Sequence, residues 1–300
     1  MIDEKSIKSS WNYEDIVYAS IVCVTYNQDC FLEKTLKSLV EQRSNYRFEI
    51  IIHDDASTDN TTIILNKYKE KYPSIIKVIR QKENQYSKGG FRPLYYASSY
   101  ASGKYLAFCE GDDYWINNEK LNKQVEILEN DGSVSLVHTN YLELRNNIEK
   151  KRALGDSYPI STVSSLLKSN TVGTLTACFR REDLIEFTIL VEEESKEWRL
   201  GDLPLWLYLS GKGDITYLKE EMAVYRVLNE SASHSKNKNK KLMFILNSLY
   251  IKLFFIEYYK LSFSYKVRIL IGALRNLMKY PTLNKEVLEF YMKILKRLIR

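Results

Sequence analysis

Short apolar runs rich in β-branched or aromatic residues recur through the first half of the chain: SIVCVT at 20–25, FEIIIH at 48–53, a run at 75–79, YLAFC at 105–109 and another at 134–138. Each has the length and composition of a β-strand. Between them, Phe31, Leu32, Leu36 and Leu39 recur at helical intervals within 31–40, as do Ile64, Leu65 and Tyr68 within 61–72. Strands joined by helical crossovers of that length lie parallel. The alternation therefore predicts an α/β fold with crossover helices over a parallel sheet.

The segment YSKGGFRP at 86–93 interrupts the alternation with two glycines and a proline and predicts a loop near the ligand edge. Beyond residue 150 the pattern is mixed. Within DLPLWLYLS at 202–210, Pro204 suits a first turn and Leu205, Trp206 and Leu209 follow on one side, so a short helix is expected there. The polar stretch HSKNKNKK at 234–241 reads as a linker, and the chain after it is almost wholly helix-like. Two units are expected: a catalytic domain over 1–234 and a basic helical extension over 235–300. Glu257, Lys260, Lys266 and Arg268 break up the apolar region around 249–274, which argues against a membrane-spanning helix.

Charge sharpens that division. Residues 235–300 hold 15 Lys and Arg against 3 Asp and Glu, an excess of 12 in a chain whose net charge is +6, so residues 1–234 carry −6. An acidic body fits poorly with a groove for nucleic acid, whereas a basic tail suits an anionic surface. In YMKILKRLIR at 291–300 apolar and basic faces can separate. Two readings fit such helices: peripheral contact with an anionic membrane, or a helical subdomain packed on the body with its basic residues in water. The first fifteen residues contain no apolar run, and Cys23, Cys30, Cys109 and Cys178 lack paired metal-ligand spacing. The expected location is the cytoplasm, at the inner face of the plasma membrane if the tail binds lipid.

The polar clusters follow the strand runs. In a parallel α/β sheet ligands gather beyond the carboxyl ends of strands. Tyr26-Asn27 follow the first run, Asp54-Asp55 the second, and Glu110-Gly111-Asp112-Asp113 the fourth. Three carboxylates within four positions repel one another and call for a hard divalent cation such as Mg²⁺ or Mn²⁺. The other reading is a solvated acidic turn in which Asp113 caps a helix over 115–126. Asp54 is placed to receive a base edge or ribose, while one of Ser57, Thr58 or Asp59 should cap the helix that follows.

SIVCVTYN at 20–27, HDDASTDNT at 53–61, SGKYLAFCEGDDYW at 102–115 and DLPLWL at 202–207 together resemble glycosyltransferase family 2, of the GT-A fold, over roughly residues 17–232. That resemblance implies a Rossmann-like, mostly parallel sheet flanked by helices and an inverting transfer of sugar from a nucleotide diphosphate donor, uridine diphosphate by default. It assigns nucleotide contacts to Thr25, Asn27, Asp54 and Asp55, diphosphate and metal contacts to Asp112 and metal contact to Asp113, and the catalytic base to Asp202. Many members have Asp where this chain has Glu110, and an acidic residue where it has Gly201. Lys88 and Arg92 in the glycine-containing loop are candidate phosphate contacts, and His234, near the end of the resemblance, a candidate metal ligand. The implied acceptor is a saccharide or lipid-linked saccharide of a bacterial envelope polysaccharide. A glycosidase would need neither nucleotide-binding strand ends nor a metal cluster; a catalytically silent nucleotide-sugar binding module would keep the donor site without turnover.

Overall fold

The computed structural model describes residues 2–151, 162–228, 237–277 and 285–299. Its strands are β1 (Ala19–Thr25), β2 (Phe48–Asp54), β3 (Ile76–Arg80), β4 (Tyr105–Glu110), β5 (Tyr114–Trp115), β6 (Val134–Arg145), β7 (Ile148–Lys151), β8 (Cys178–Arg180) and β9 (Asp214–Arg226). Its helices are α1 (Glu4–Lys8), α2 (Asp29–Val40), α3 (Thr61–Lys71), α4 (Pro93–Ser98), α5 (Lys120–Asn130), α6 (Val163–Lys168), α7 (Arg181–Leu190), α8 (Asp202–Lys212), α9 (Lys238–Tyr258), α10 (Phe263–Leu277) and α11 (Lys285–Ile299). One sheet runs in the order β3-β2-β1-β4-β8-β6-β9-β5, with β7 paired to β6.

The β3-β2-β1-β4 half is parallel, as the crossover pattern requires. Past β4 the sheet is mixed: β8 runs antiparallel to β4 and β6, β9 parallel to β6, and β5 antiparallel to β9. Alternating side chains serve two cores. Val22, Ile51, Leu106 and Phe108 face α8 and α9, whereas Ile21, Cys23, Ile50, Ile52 and Ala107 face α2, α3 and α5.

Helix α8 is buried from Leu203 to Leu209 on every side, which is why its apolar pattern looks continuous rather than striped. Helix α9 covers it with Leu242, Leu246, Leu249 and Leu253, in the same core as Val22 and Phe108. Tyr259, just past α9, donates its hydroxyl to the carbonyls of Leu207 and Tyr208 at 3.0 and 3.1 Å. Helices α10 and α11 pack on α9. The C-terminal helices and the rest of the chain thus share one core. Among the described residues no helix is long and apolar enough to cross a membrane. All four cysteines are free thiols: Cys23, Cys109 and Cys178 are buried and Cys30 is exposed.

The turn 86–93 has a physical reason for its glycines. A 3₁₀ turn at Tyr86–Lys88 is followed by Gly89 and Gly90 at φ 79° and 73°, a region that glycine enters without steric cost, and Pro93 then opens α4.

Candidate functional site

The carboxyl ends of β1, β2 and β4 lie side by side, since Thr25 pairs with Asp54 and Val24 with Glu110 in the parallel registers. The polar residues after them bind one another. Asn27 sits at φ 50°, which asparagine tolerates; its amide donates to Ser57 Oγ at 2.9 Å and its Oδ1 accepts the Thr58 amide at 2.8 Å. Asp54 is fully buried: Oδ1 accepts the Ser57 amide at 2.9 Å and Oδ2 the Arg80 Nε at 3.2 Å. Asp55, also buried, accepts the amides of Gln85 and Tyr86, each at 2.9 Å, and so anchors the glycine loop to the end of β2. The N-cap of α3 is Asn60, one residue beyond the expected candidates, and its side chain makes no capping bond; Asp59 accepts the Thr61 amide of α3 and, from the other side, the Asp29 amide of α2, both at 3.0 Å.

The turn after β4 is held from three directions. Thr35 of α2 lies 2.8 and 2.5 Å from the carbonyls of Gly111 and Asp113. Arg226, at the end of β9, gives its amide to Asp113 Oδ1 at 2.7 Å and its guanidinium to the Asp112 carbonyl. That guanidinium stacks over Phe31 and Tyr114, 5.0 and 4.6 Å from the ring centres. Gly111 is required by its neighbours: a Cβ there would lie 2.5 Å from Gln28 Oε1 and 2.8 Å from Thr25 Oγ1. The protein's own side chains occupy the space beside Gly111. Asp113 does not cap a helix, because residues 114–115 pair with β9 and α5 starts only at Lys120.

Asp113 is 2% exposed with Oδ1 committed to Arg226, and Asp112 is the half-buried carboxylate of the pair. Burial raises both above the usual carboxylate range; Asp112 and Glu110 push Asp113 further up, while Arg226 opposes the shift at each. Glu110 is pushed up to about 8 by burial and then by Asp112 and Asp202. Three buried oxygens around the turn have no partner among the described residues: Thr25 Oγ1, Gln28 Oε1 and Glu110 Oε2. Among the described residues no three His, Cys, Asp or Glu side chains form a metal cage. Mg²⁺ and Mn²⁺ commonly take only one or two protein carboxylates, with phosphate oxygens and water completing the shell, so Asp112 with the unmet Glu110 Oε2 fits such an ion. His234 lies outside the described residues.

A cleft of about 680 Å³ opens beside this turn, with Glu110, Asp113, Asn170, Asp202 and Trp206 in its wall. Asp202 begins α8, accepts Asn170 Nδ2 at 2.9 Å through Oδ2, and is raised in pKa by burial. The Tyr95 hydroxyl donates to the Gly201 carbonyl and pins the entry to that helix. Thus Glu110 and Asp202 share the cleft, while Thr25, Asn27, Asp54, Asp55 and Asp112 lie outside its wall. Lys88 pairs with Glu83 and lines a neighbouring cleft of about 550 Å³. Arg92 lines both clefts, but its guanidinium donates to the carbonyls of Ser195 and Trp198.

The comparisons with known proteins agree with this architecture. Residues 20–187 match the sequence profile of Glycosyl transferase family 2. TuaG of Bacillus subtilis, assigned to teichuronic acid biosynthesis as a glycosyltransferase, is 32% identical over 240 residues, 79% of this chain and 90% of that protein. The Escherichia coli enzyme WfaP, a UDP-Glc:α-D-GlcNAc-diphosphoundecaprenol β-1,3-glucosyltransferase, is 31% identical, covering 75% of this chain and 82% of its own length. An uncharacterized protein of Mycobacterium tuberculosis is 30% identical over 231 residues, and the chain spans 62% of its length. Among solved structures, S. aureus TarS 1-349 in complex with UDP-GlcNAc superposes with a TM-score of 0.66 at 18% identity, over 94% of this chain and 81% of that one, which fixes the fold as GT-A. A profile match across more than half of the sequence, joined to a relative of 32% identity over most of both chains, means that this protein belongs to glycosyl transferase family 2.

Proposed function

We propose that the chain transfers a sugar from a uridine diphosphate donor to an acceptor hydroxyl with inversion, in the assembly of a bacterial surface polysaccharide. The observation that carries the reading is that Asp202 lines the same cleft as Glu110 and Asp113, so that one carboxylate is at hand for the acceptor while the turn stands by the departing diphosphate. Asp202 takes the proton of the attacking hydroxyl, and its burial, which raises its pKa, makes it a better base than an exposed carboxylate. Asn170 holds and orients the carboxylate through one of its oxygens. Asp112, with Glu110 beside it, would hold Mn²⁺ or Mg²⁺, which when bound supplies Lewis-acid stabilisation of the leaving diphosphate. Thr25, Asn27, Asp54 and Asp55 shape the nucleotide end, the two aspartates chiefly by fixing the loops around it. TarS is known with UDP and with UDP-GlcNAc, and the mannosyltransferase PcManGT, TM-score 0.56, with GDP-Man and Mn²⁺; both support a nucleotide-sugar donor here.

A lipid-linked saccharide acceptor, as in WfaP, agrees with the outer surface of the C-terminal helices. Phe263, Val267, Ile271 and Leu274 form an exposed stripe on α10, and Leu288, Met292 and Leu295 another on α11, beside Arg268 and Lys296. We read these faces as the contact with an anionic membrane.

The test pairs a screen with a variant. Thermal shift across nucleotide sugars, with and without Mn²⁺, should single out one uridine diphosphate sugar, and Asp202→Asn should keep that shift while transfer falls at least a hundred-fold. Near-normal transfer in Asp202→Asn removes the base assignment. A full shift without turnover in the wild type, across saccharide acceptors, would mean a binding module.

A further inference from the structure

Part of the cleft wall is not made by the sheet. Helix α9 supplies Phe244, Ser248 and Lys252, spaced four residues apart and therefore on one helical face. All three are half-buried, while Leu242, Leu246, Leu249 and Leu253 on the adjoining face enter the core. A lysine in such a place normally finds a carboxylate or a carbonyl. Lys252 has none among the described residues, and burial alone lowers its pKa to about 8, with no charged neighbour acting on it. Neither Glu110 nor Asp202, which line the same cleft, forms an ion pair with it. Arg199 reaches the same cleft, its backbone amide held by Asn247 Oδ1 of α9 at 2.7 Å. The cleft is acidic at the strand ends and cationic along α9.

We propose that the α9 wall is an acceptor subsite for a phosphoryl group, with Lys252 and the Ser248 hydroxyl receiving a phosphate or diphosphate attached to the acceptor sugar. A desolvated ammonium without a counterion is costly, and an incoming phosphate oxygen supplies the missing charge; lysine binds phosphate as a compact point charge with three donors. Phe244 gives the same wall an apolar patch beside the cation. The inference rests on the glycosyltransferase reading and adds to it the charge of the acceptor.

The test is calorimetry on the full chain saturated with UDP and Mn²⁺. Three probes are titrated: N-acetylglucosamine 1-diphosphate bearing a short alkyl chain, N-acetylglucosamine 1-phosphate, and the neutral alkyl glycoside of the same sugar. At least one phosphorylated probe should bind ten-fold or more tightly than the neutral glycoside. Lys252→Ala should erase that margin and Lys252→Arg should keep most of it, with the melting temperature and UDP affinity of both variants near wild type. Tighter binding of the alkyl diphosphate than of the free 1-phosphate identifies a lipid-linked source, and equal binding a soluble sugar phosphate. The proposal is overturned if the wild type does not distinguish phosphorylated from neutral probes, or if Lys252→Ala binds them as the wild type does. Failure of the wild type to bind UDP would instead remove the transferase reading, and this subsite with it.

Discussion

At the scale of single residues, the site depends on groups that repel, crowd or strain one another. Gly111 is an instance: replacing it with alanine drives a methyl group into Gln28 and Thr25. Overpacking of this kind costs about 1–3 kcal/mol. Gly111→Ala should therefore lower the melting temperature modestly and raise the donor KM at least ten-fold, because the displaced turn carries Asp112. A steady-state titration with unchanged donor KM would show that the turn tolerates the shift. Lys120 is a second instance. It is fully buried, with Nζ 2.7 Å from Gln124 Oε1 and 3.8 Å from the centre of the Trp115 ring, and burial lowers its pKa to about 7. Between that value and the ordinary lysine pKa near 10.4 the unfolded chain binds a proton that the folded chain does not, so this residue makes stability rise with pH. The slope is about 1.4 kcal/mol per pH unit for one proton. Denaturation between pH 7 and 9.5 should show this rise, and Lys120→Met should flatten it; an equal slope in both proteins would mean that Lys120 stays charged when folded. None of these contacts was legible in the sequence. Gln28, Thr35 and Arg226 meet the acidic turn across more than 75 residues of chain, a separation that spacing along the sequence does not bridge.

At the scale of elements, the parallel half of the fold was legible because β1, β2 and β4 are nearly continuous apolar runs. The mixed half was not. Strand β9 passes through Lys219, Glu220 and Glu221 with a partly exposed middle, β8 has only three residues, and β6 extends seven residues beyond its apolar start at Val134–His138. The strands β1 to β4 fall within one residue of their expected ranges at each end, and the helices α2, α3 and α8 within two. The loop before α4 was foreseen from its glycines, but its attachment to Asp55 was not, since the two amides involved leave no side-chain signature. Each of those charge-assisted hydrogen bonds contributes roughly 1.5–3 kcal/mol. Asp55→Ala should therefore raise amide exchange at Gln85 and Tyr86 by ten-fold or more while exchange in β1 and β4 stays slow. Uniform acceleration through the sheet would show that Asp55 supports the whole domain rather than this loop.

At the scale of the whole molecule, charge and apolar surface are segregated together. The acidic body contains the cleft, and the basic C-terminal helices both form part of its wall and present two apolar stripes outward. The charge asymmetry was plain in the sequence; that α9 would join the catalytic core was not, because helical periodicity does not say which surface a helix covers. If the stripes meet lipid, the chain should sediment with phosphatidylglycerol vesicles at low salt, and much less with phosphatidylcholine vesicles or at high salt, where screening removes the attraction. Phe263→Ser combined with Leu295→Ser should lower binding several-fold without altering the melting temperature. Absence of sedimentation by the folded wild type on anionic vesicles would leave the stripes without a membrane role.

Cys30 has a practical use. It alone of the four thiols faces solvent, and it sits in the first turn of α2, next to Asp29, whose carboxylate touches Asn60 and whose amide is held by Asp59. A hydrogen bond to Asp29 raises the Cys30 pKa, so the thiol reacts slowly at neutral pH and more readily in mild alkali. A maleimide fluorophore introduced there labels the native chain at one place, without cysteine removal, a few residues from Asn27 and Gln28. On the proposed nucleotide site, its emission should change on addition of UDP, giving an optical titration of occupancy.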